Sequence, residues 1–387
     1  MKISFIVTSR ADYSPLSSLI NKISSISSYY VNVFVLVNDL NNNFEKKDIF
    51  FNQHKNLKYK LFDLGKKKLK ITDHITVISQ KLSKLFERHK PDLIIILGDR
   101  YELLSIPSVS LEKSIPILHI AGGHVTLGAF DDSIRHSLTK FCHLHIASTF
   151  ENYKNILSLG EQKWRIKLAG SLGAENTKNL KLISSKIILK ENGLDSNKDF
   201  VLITLHPTTN KNENLEKDMK IFLRSIIKLN FQFVITYPNQ DPESEVIIKY
   251  FKQFLSKINS KKKRGIFVKN LGKINYLSLM KNCKLMIGNS SSGIIESPSF
   301  NIPVLNIGDR QKGRKMHSNI LNSSFNELEI NKKIKKAINK KFISNISNRN
   351  NYYRKNTSLN IIRFIEKVFS ERSIKEIITK KSNLLYD

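Results

Sequence analysis

The amino-acid sequence predicts an α/β protein of two Rossmann-like, doubly wound domains facing a cleft. Three observations carry that reading. Short β-rich apolar runs alternate with amphipathic stretches, the pattern of a parallel sheet covered by helices. The alternation restarts after Gly170, giving two series of similar size. A chain of 387 residues also suffices for two domains, each with a core of its own.

In the first series the strand candidates are Ile3–Val7, Val31–Val37, Leu93–Leu97, Ile115–Ile120, His143–Ala147 and Ile166–Ala169. Helical patterns separate most of them. Ile75–Arg88 is one, closed by Pro91, before which helical backbone is disfavoured. In the second series strands are expected at Phe200–Leu205, Gln232–Tyr237, Gly265–Val268, Lys284–Ile287 and Ile302–Ile307. Between them Val246, Ile247, Phe251, Phe254, Leu255 and Ile258 recur at helical spacing and make one apolar face. The boundary falls within Ser171–Lys198. The expected division is therefore 1–172, 173–358 and a C-terminal segment 359–387 holding an amphipathic helix over Asn360–Ile378.

Composition narrows the function classes. Hydrophobic residues make up 40% and charged residues 25%, ordinary values for a soluble globular chain. Lys and Arg number 64 against 33 Asp and Glu, a net charge of +31. The excess is spread along the chain, with small clusters at Lys66–Lys68, Lys261–Arg264 and Lys332–Lys341. No aromatic-basic interleaving accompanies it, so solvated lysine faces are expected and a nucleic-acid surface is not. Apolar runs such as Leu93–Leu97 are far too short to span a bilayer, and MKISFIVTSR lacks the core of a signal peptide. A cytoplasmic protein without a membrane partner is expected. Cys142 and Cys283 fit buried thiols better than a disulfide or metal site.

Ligands of open α/β sheets bind beyond the C-terminal ends of strands. Those ends carry the polar and glycine-rich segments here: Thr8-Ser9-Arg10-Ala11-Asp12, Gly98-Asp99-Arg100, Ala121-Gly122-Gly123-His124, His206-Pro207, residues 288–293 and Gly308-Asp309-Arg310. One such turn could be an ordinary capped βα turn. Six of them carrying Arg, His, Asp or clustered Ser and Gly favour a shared site.

GNSSSGIIESP is the phosphate candidate. Its small residues let backbone N–H groups at a helix start approach an anion, with the helix dipole assisting. No Gly-Lys-Ser/Thr follows, which disfavours a P-loop and ATP hydrolysis. Glu296 reads either as a ribose acceptor or as a solvated helix carboxylate. In GAFDDSIRHSLTK, Asp131 and Arg135 stand four apart on one helical face. They form either an N-cap with an intrahelical ion pair or a carboxylate held ionised for proton transfer. His143 and His145 alternate on one strand face, and packed histidines are favoured there over a metal site.

Taken together, SRADYSPL, LGDRYELL, HIAGG, DDSIRHSLTK, LHPTT, YPNQD, NSSSGIIESPSF and NIGDRQKGR resemble the hydrolysing UDP-N-acetylglucosamine 2-epimerase family, whose relatives include enzymes acting on diacetamido-trideoxy sugar nucleotides in sialic and legionaminic acid-type biosynthesis. These motifs cover most of Met1–Arg314, and NIGDRQKGR favours the hydrolysing branch. The resemblance implies a glycosyltransferase-B-like architecture with no metal and no cofactor, and it leaves a homodimer open. It implies elimination of UDP or GDP from a 2-acetamido sugar, then hydration of the glycal to the free C2 epimer. Asp99 and Asp131 would be the carboxylates near the sugar, Arg135 would hold the latter, and His206 would reach across from the second domain. Arg10, Ser291, Ser292 and Gly293 would bind the diphosphate, Glu296 the ribose, and Arg310 and Arg314 the sugar or diphosphate.

The chain departs from the family pattern where many relatives carry acids, having Ala121, His124 and Leu127 instead. His124 is therefore a candidate acid/base group in their place; a different substrate or reduced activity is the alternative. The rival functions are a glycosyltransferase-B-like sugar transferase, a non-hydrolysing epimerase, and a basic binding protein without catalysis.

Overall fold

The computed structural model describes residues 1–37, 54–64, 70–127, 130–208, 214–239 and 243–381. The basic cluster Lys66–Lys68 lies outside them. The chain forms two compact units: Met1–His124 with Asp131–Asn176 and Tyr352–Asp387, and Val125–Phe130 with Thr177–Asn351.

The first unit is a seven-stranded sheet of β1 (Lys2–Val7), β2 (Tyr30–Val37), β3 (Leu57–Asp63), β4 (Leu93–Leu97), β5 (Ile117–Ile120), β6 (Leu144–Ala147) and β7 (Ile166–Leu168). Its order is β3-β2-β1-β4-β5-β6-β7, and every pairing is parallel. Strands buried on both faces read as continuous apolar runs, as β4 does with Leu-Ile-Ile-Ile-Leu. Phe5, Val33, Ile95 and Leu118 face one core, and Ile6, Phe34, Ile94 and Ile117 face the other. β3 escapes a reading of the sequence because its lysines and exposed positions break the apolar run.

The C-terminal segment belongs to this unit and is not a separate piece. Its helix Thr357–Glu371 packs Ile361, Ile365 and Val368, one helical face, into the core containing Ile3 and Phe5. The single helix expected over Asn360–Ile378 is broken at Arg372, where the backbone is extended, and Ser373 caps a short helix Ile374–Ile378. Two cations, Arg165 buried and Lys380 partly so, fasten this end of the chain to the sheet. Arg165 donates to the carbonyls of Ile377 (2.6 Å) and Thr379 (2.9 Å). Lys380 Nζ donates to the carbonyls of Lys140 and Cys142 and to Glu161 Oε1, each at 2.7 Å. His145 Nε2 meets the other Glu161 oxygen at 3.2 Å, and His143 Nδ1 accepts from Ile117 N. Both histidines are packing groups. Burial pushes the His143 imidazole down to about 3 and that of His145 down as well.

The second unit is a six-stranded parallel sheet of β8 (Phe200–Thr204), β9 (Gln232–Thr236), β10 (Gly265–Val268), β11 (Leu285–Gly288), β12 (Val304–Ile307) and β13 (Ile320–Ser323). Its order is β10-β9-β8-β11-β12-β13. Val201, Ile203, Phe233, Ile235, Leu285 and Ile287 bury one face under Met219 and Phe222 of one helix and Ile247, Phe251 and Phe254 of another. Strand order reverses between β1 and β4 in the first unit and between β8 and β11 in the second. Both are topological switch points, where α/β sheets open a crevice for a ligand. No helix of the described residues is long and apolar enough to cross a membrane, and both cysteines are free, buried thiols.

Candidate active site

In the first unit the candidate groups gather past the switch-point strands. Asp99 follows β4, and helix Asp131–Phe141 brings Arg135 against it. The guanidinium is 1% exposed, while Asp99 and Asp132 keep about a quarter of their side-chain surface in solvent. Arg135 Nε donates to Asp99 Oδ2 at 3.0 Å, and Nη2 donates to the same oxygen. Nη1 donates to Asp132 Oδ1 (2.9 Å) and to the His124 carbonyl (2.8 Å). Spacing points to Asp131 as a partner; Arg135 is found holding Asp99 and Asp132, the residue next to it. One turn of helix is satisfied by i,i+3 as well as by i,i+4, so an adjacent Asp-Asp pair cannot be resolved by spacing. Asp132 also meets His136 Nε2 at 3.3 Å, and Asp131 is the first residue of the helix.

His124 does not present its ring as a catalytic group would. It is 3% exposed, stacked on Tyr352 with ring centroids 5.9 Å apart, and its Nε2 lies 3.4 Å from Ser148 Oγ. The preceding turn explains this. Ala121 takes a left-handed φ of 67°, and Gly123 lies so close to the next helix that a Cβ would sit 2.2 Å from the Asn152 carbonyl. Asn152 and Asn155 both donate to the Gly123 carbonyl. The chain is thereby pinned with the His124 carbonyl on Arg135 and the imidazole packed away. Leu127, by contrast, is 64% exposed.

Past β1, helix Arg10–Ser24 begins, and the Arg10 side chain lies outside the described residues. Asp12, which its sequence context does not single out, is buried and accepts from the Thr8 hydroxyl. Burial pushes its carboxyl up to about 6 against the nearby Arg100 charge.

In the second unit His206 and the serine segment are tied together. Asn289 Oδ1 accepts from His206 N (2.7 Å) and Asn289 Nδ2 donates to the His206 carbonyl (2.8 Å). His206 Nδ1 accepts from Asn239 N at 3.0 Å, so a neutral ring carries its proton on Nε2. Arg310 Nη1 and Gln311 Nε2 both donate to the Asn289 carbonyl. Gly288 has φ 140°, and a Cβ there would lie 2.0 Å from the Thr204 carbonyl, so only glycine lets β11 run this close to β8 at the turn.

The helix after that turn is a single turn, Ser292–Ile295, followed by a 3-10 turn. The dipole expected from the sequence is correspondingly small, and the segment's donors are its hydroxyls and amides. Gly293 is buried, with Val304 3.3 Å from where its Cβ would be. Glu296 is not a solvated helix carboxylate. Its Oε2 is buried without a hydrogen-bond partner among the described residues, and burial pushes the carboxyl up to about 7, with the Arg314 charge recovering part of the shift.

Each unit is thus a doubly wound parallel sheet with a polar cluster past its switch point, acid and arginine in the first, histidine and arginine beside the serine segment in the second, and the architecture is glycosyltransferase-B-like. The sequence model of the UDP-N-acetylglucosamine 2-epimerase family matches residues 31–366. The chain belongs to that family, in its hydrolysing branch. It is 42% identical over 263 residues to the GDP/UDP-N,N'-diacetylbacillosamine 2-epimerase (hydrolyzing) of Campylobacter jejuni, covering 68% of each chain. It is 32% identical over 299 residues to the polysialic acid biosynthesis protein P7 of Escherichia coli, covering 76% of this chain and 75% of that one. The fold is shared with the UDP-GlcNAc 2-epimerase of Methanocaldococcus jannaschii in complex with UDP-GlcNAc and UDP, at a TM-score of 0.77 and 17% identity over 95% of this chain and all of that one.

Proposed function

We propose that this enzyme acts on a UDP- or GDP-linked 2,4-diacetamido-trideoxy sugar, releasing the nucleoside diphosphate and the free C2-epimeric sugar. The Campylobacter jejuni relative, named for that substrate, supports the choice of sugar. The observation that carries the chemistry is the buried Arg135 guanidinium gripping Asp99 from the helix that Asp131 opens.

In the first stage a base takes the C2 proton, the C2–H electron pair forms the C1–C2 double bond, and the C1–O pair leaves with the diphosphate. In the second stage water adds its oxygen to C1 and a proton reaches C2 from the opposite face. The C2 proton is a poor acid, so the rate rests on an oriented base and a stabilised leaving group. Asp99 and Asp131 are assigned to the sugar, with Arg135 holding and aiming Asp99. His206, bearing its proton on Nε2, is the second unit's acid. Arg10, Ser291, Ser292 and Gly293 take the diphosphate, Glu296 the ribose hydroxyls, and Arg310 and Arg314 add positive charge. The His124 ring receives no acid/base role.

A panel of UDP- and GDP-linked 2-acetamido and 2,4-diacetamido sugars, read by diphosphate release and by NMR of the sugar, tests this. Release of diphosphate with a free C2 epimer is expected. Transfer to an acceptor, or an epimer still linked to its nucleotide, would overturn it.

A further inference from the structure

Strand β8 pairs with β11 as far as Thr204 and Gly288, and the two chains then part. Asn289, the residue after Gly288, is 2% exposed and still donates its backbone N–H to the Thr204 carbonyl at 3.2 Å. Its side-chain amide carries the pairing on. Oδ1 accepts from His206 N at 2.7 Å, and Nδ2 donates to the His206 carbonyl at 2.8 Å. A backbone N–H can only donate and a carbonyl can only accept, so the amide has one orientation and each bond one direction. The backbone carbonyl of Asn289 accepts from Gln311 Nε2 at 2.9 Å and from Arg310 Nη1 at 3.3 Å.

A carboxamide is chemically a peptide group, and here it does for His206 what a further strand residue would do. With the N–H and the C=O of one residue both held, its backbone is fixed, and so is the direction of its Cα–Cβ bond. Only the side-chain torsions of His206 then remain. Asn239, in the segment after β9, restrains them by donating its backbone N–H to His206 Nδ1 at 3.0 Å. The imidazole is thus held at both ends, and the neutral ring keeps its proton on Nε2. His206 is 8% exposed, so without the amide its N–H and carbonyl would lose these partners where little water can replace them. The backbone would shift to find others, and the ring would move with it.

We infer that Asn289 is a positioning residue, whose side-chain amide holds His206 in the place from which it acts as an acid. This rests on the assignment of His206 as the second unit's acid. Both polar atoms of the amide are spent on His206, so the effect of the side chain on turnover passes through that histidine. The contacts to Arg310 and Gln311 run through the backbone carbonyl, which a substitution leaves in place. Loss of the amide therefore separates the placing of the acid from the binding of the nucleotide.

The test is a double-mutant cycle with His206, read by kcat, KM and UDP affinity. Asn289→Ala should lower kcat roughly 10–100-fold, the scale of a reacting group displaced by about 1 Å. KM and the Kd of UDP should change less than about threefold, since the backbone carbonyl remains. His206→Ala should lose more, and adding Asn289→Ala to it should bring no further loss. Asn289→Asp keeps the volume and the acceptor for His206 N but sets a carboxylate oxygen against the His206 carbonyl. Its kcat should fall as well, and it carries the same cycle if Asn289→Ala does not fold. Wild-type kcat in these variants would overturn the inference, as would a rise in the Kd of UDP as large as the fall in kcat, or losses that multiply in the double variant. If His206→Ala is impaired and the Asn289 variants are not, the acid assignment stands and the positioning role falls. If His206→Ala turns over at the wild-type rate, the assignment itself falls and takes the inference with it.

Discussion

Arg135 holds Asp99 through two nitrogens that both meet its Oδ2, Nε at 3.0 Å and Nη2 beside it. A guanidinium fork can orient a carboxylate this way and an ammonium cannot. Arg135→Lys should therefore cost at least tenfold in kcat even where the charge is retained. Arg135→Met should go further and destabilise the fold by about 3–5 kcal/mol, since Asp99, Asp132 and the His124 carbonyl lose a buried partner. Kinetics and chemical denaturation of the two variants separate orientation from stability. An Arg135→Lys enzyme with wild-type kcat would remove orientation from the account.

Asp131 opens its helix and precedes Asp132, one of the carboxylates that Arg135 holds. Asp131→Asn preserves volume and capping ability, so the melting temperature should hold while turnover falls about 10²–10⁴-fold, the usual worth of a general acid or base. In deuterated water the wild-type product should carry deuterium at C2. Protium retained there would contradict elimination.

The features legible in the sequence are those whose signals are local. β4, with five consecutive branched or long aliphatics, and β10 have bounds that can be read outright. β3 does not, because exposed alternate lysines hide an edge strand, and β13 does not, because only Ile320 and Ser323 are buried. The polar segments at strand ends are legible as a class. Their partners are not, because Asp99 and Arg135 are 36 residues apart and Tyr276 reaches Ser292 across a helix and a strand. The same limit applies to His124. Its sequence position makes it a candidate acid/base group, whereas the ring is stacked on Tyr352, more than 200 residues away.

That packing makes a pH prediction. With its ring stacked on Tyr352 and its carbonyl bound to Arg135, His124→Gln should leave the inflections of kcat/KM in place. The main effect should be on stability, about 1–3 kcal/mol for a buried ring replaced by a flexible amide. Loss of an inflection near neutrality, the ordinary range of histidine, would restore an acid/base role.

Glu296 offers a second titration. Its buried carboxyl, pushed up to about 7, binds more protons folded than unfolded between about pH 4.5 and 7. Stability from this group is thus fully present below pH 4.5 and is lost as pH rises through about 7. Glu296→Gln should abolish that part of the pH dependence in denaturant titrations at pH 5 and pH 8. Ribose hydroxyls donating to the carboxylate favour its ionised form, so UDP binding near pH 6.5 should release a proton. Calorimetry in two buffers of different ionisation enthalpy measures the release. Proton uptake, or none, would take Glu296 away from the ribose.

The last prediction concerns the C-terminal fastening. Burial opposes a charge on Glu161, but the His145 hydrogen bond and the Lys380 ammonium outweigh it, and the carboxyl is held well below its ordinary range. Stability from this group is present above the unfolded carboxylate pKa and is lost as pH falls towards the folded value. Lys380→Met keeps much of the side-chain length and removes the charge. It leaves Glu161 with one lysine, the half-exposed Lys140, and leaves the Cys142 carbonyl without this donor. Leaving a buried charge wholly uncompensated costs about 3–5 kcal/mol; with Lys140 and His145 still on Glu161 the loss here should be a fraction of that. The Lys380→Met protein should melt several degrees lower at neutral pH, and the difference should narrow as Glu161 protonates in acid. Glu161→Gln with Lys380→Met should recover part of the loss, since neither charge then remains. Equal destabilisation at every pH, or a double variant as unstable as the sum of the singles, would show that the fastening acts through packing and not through the ion pair.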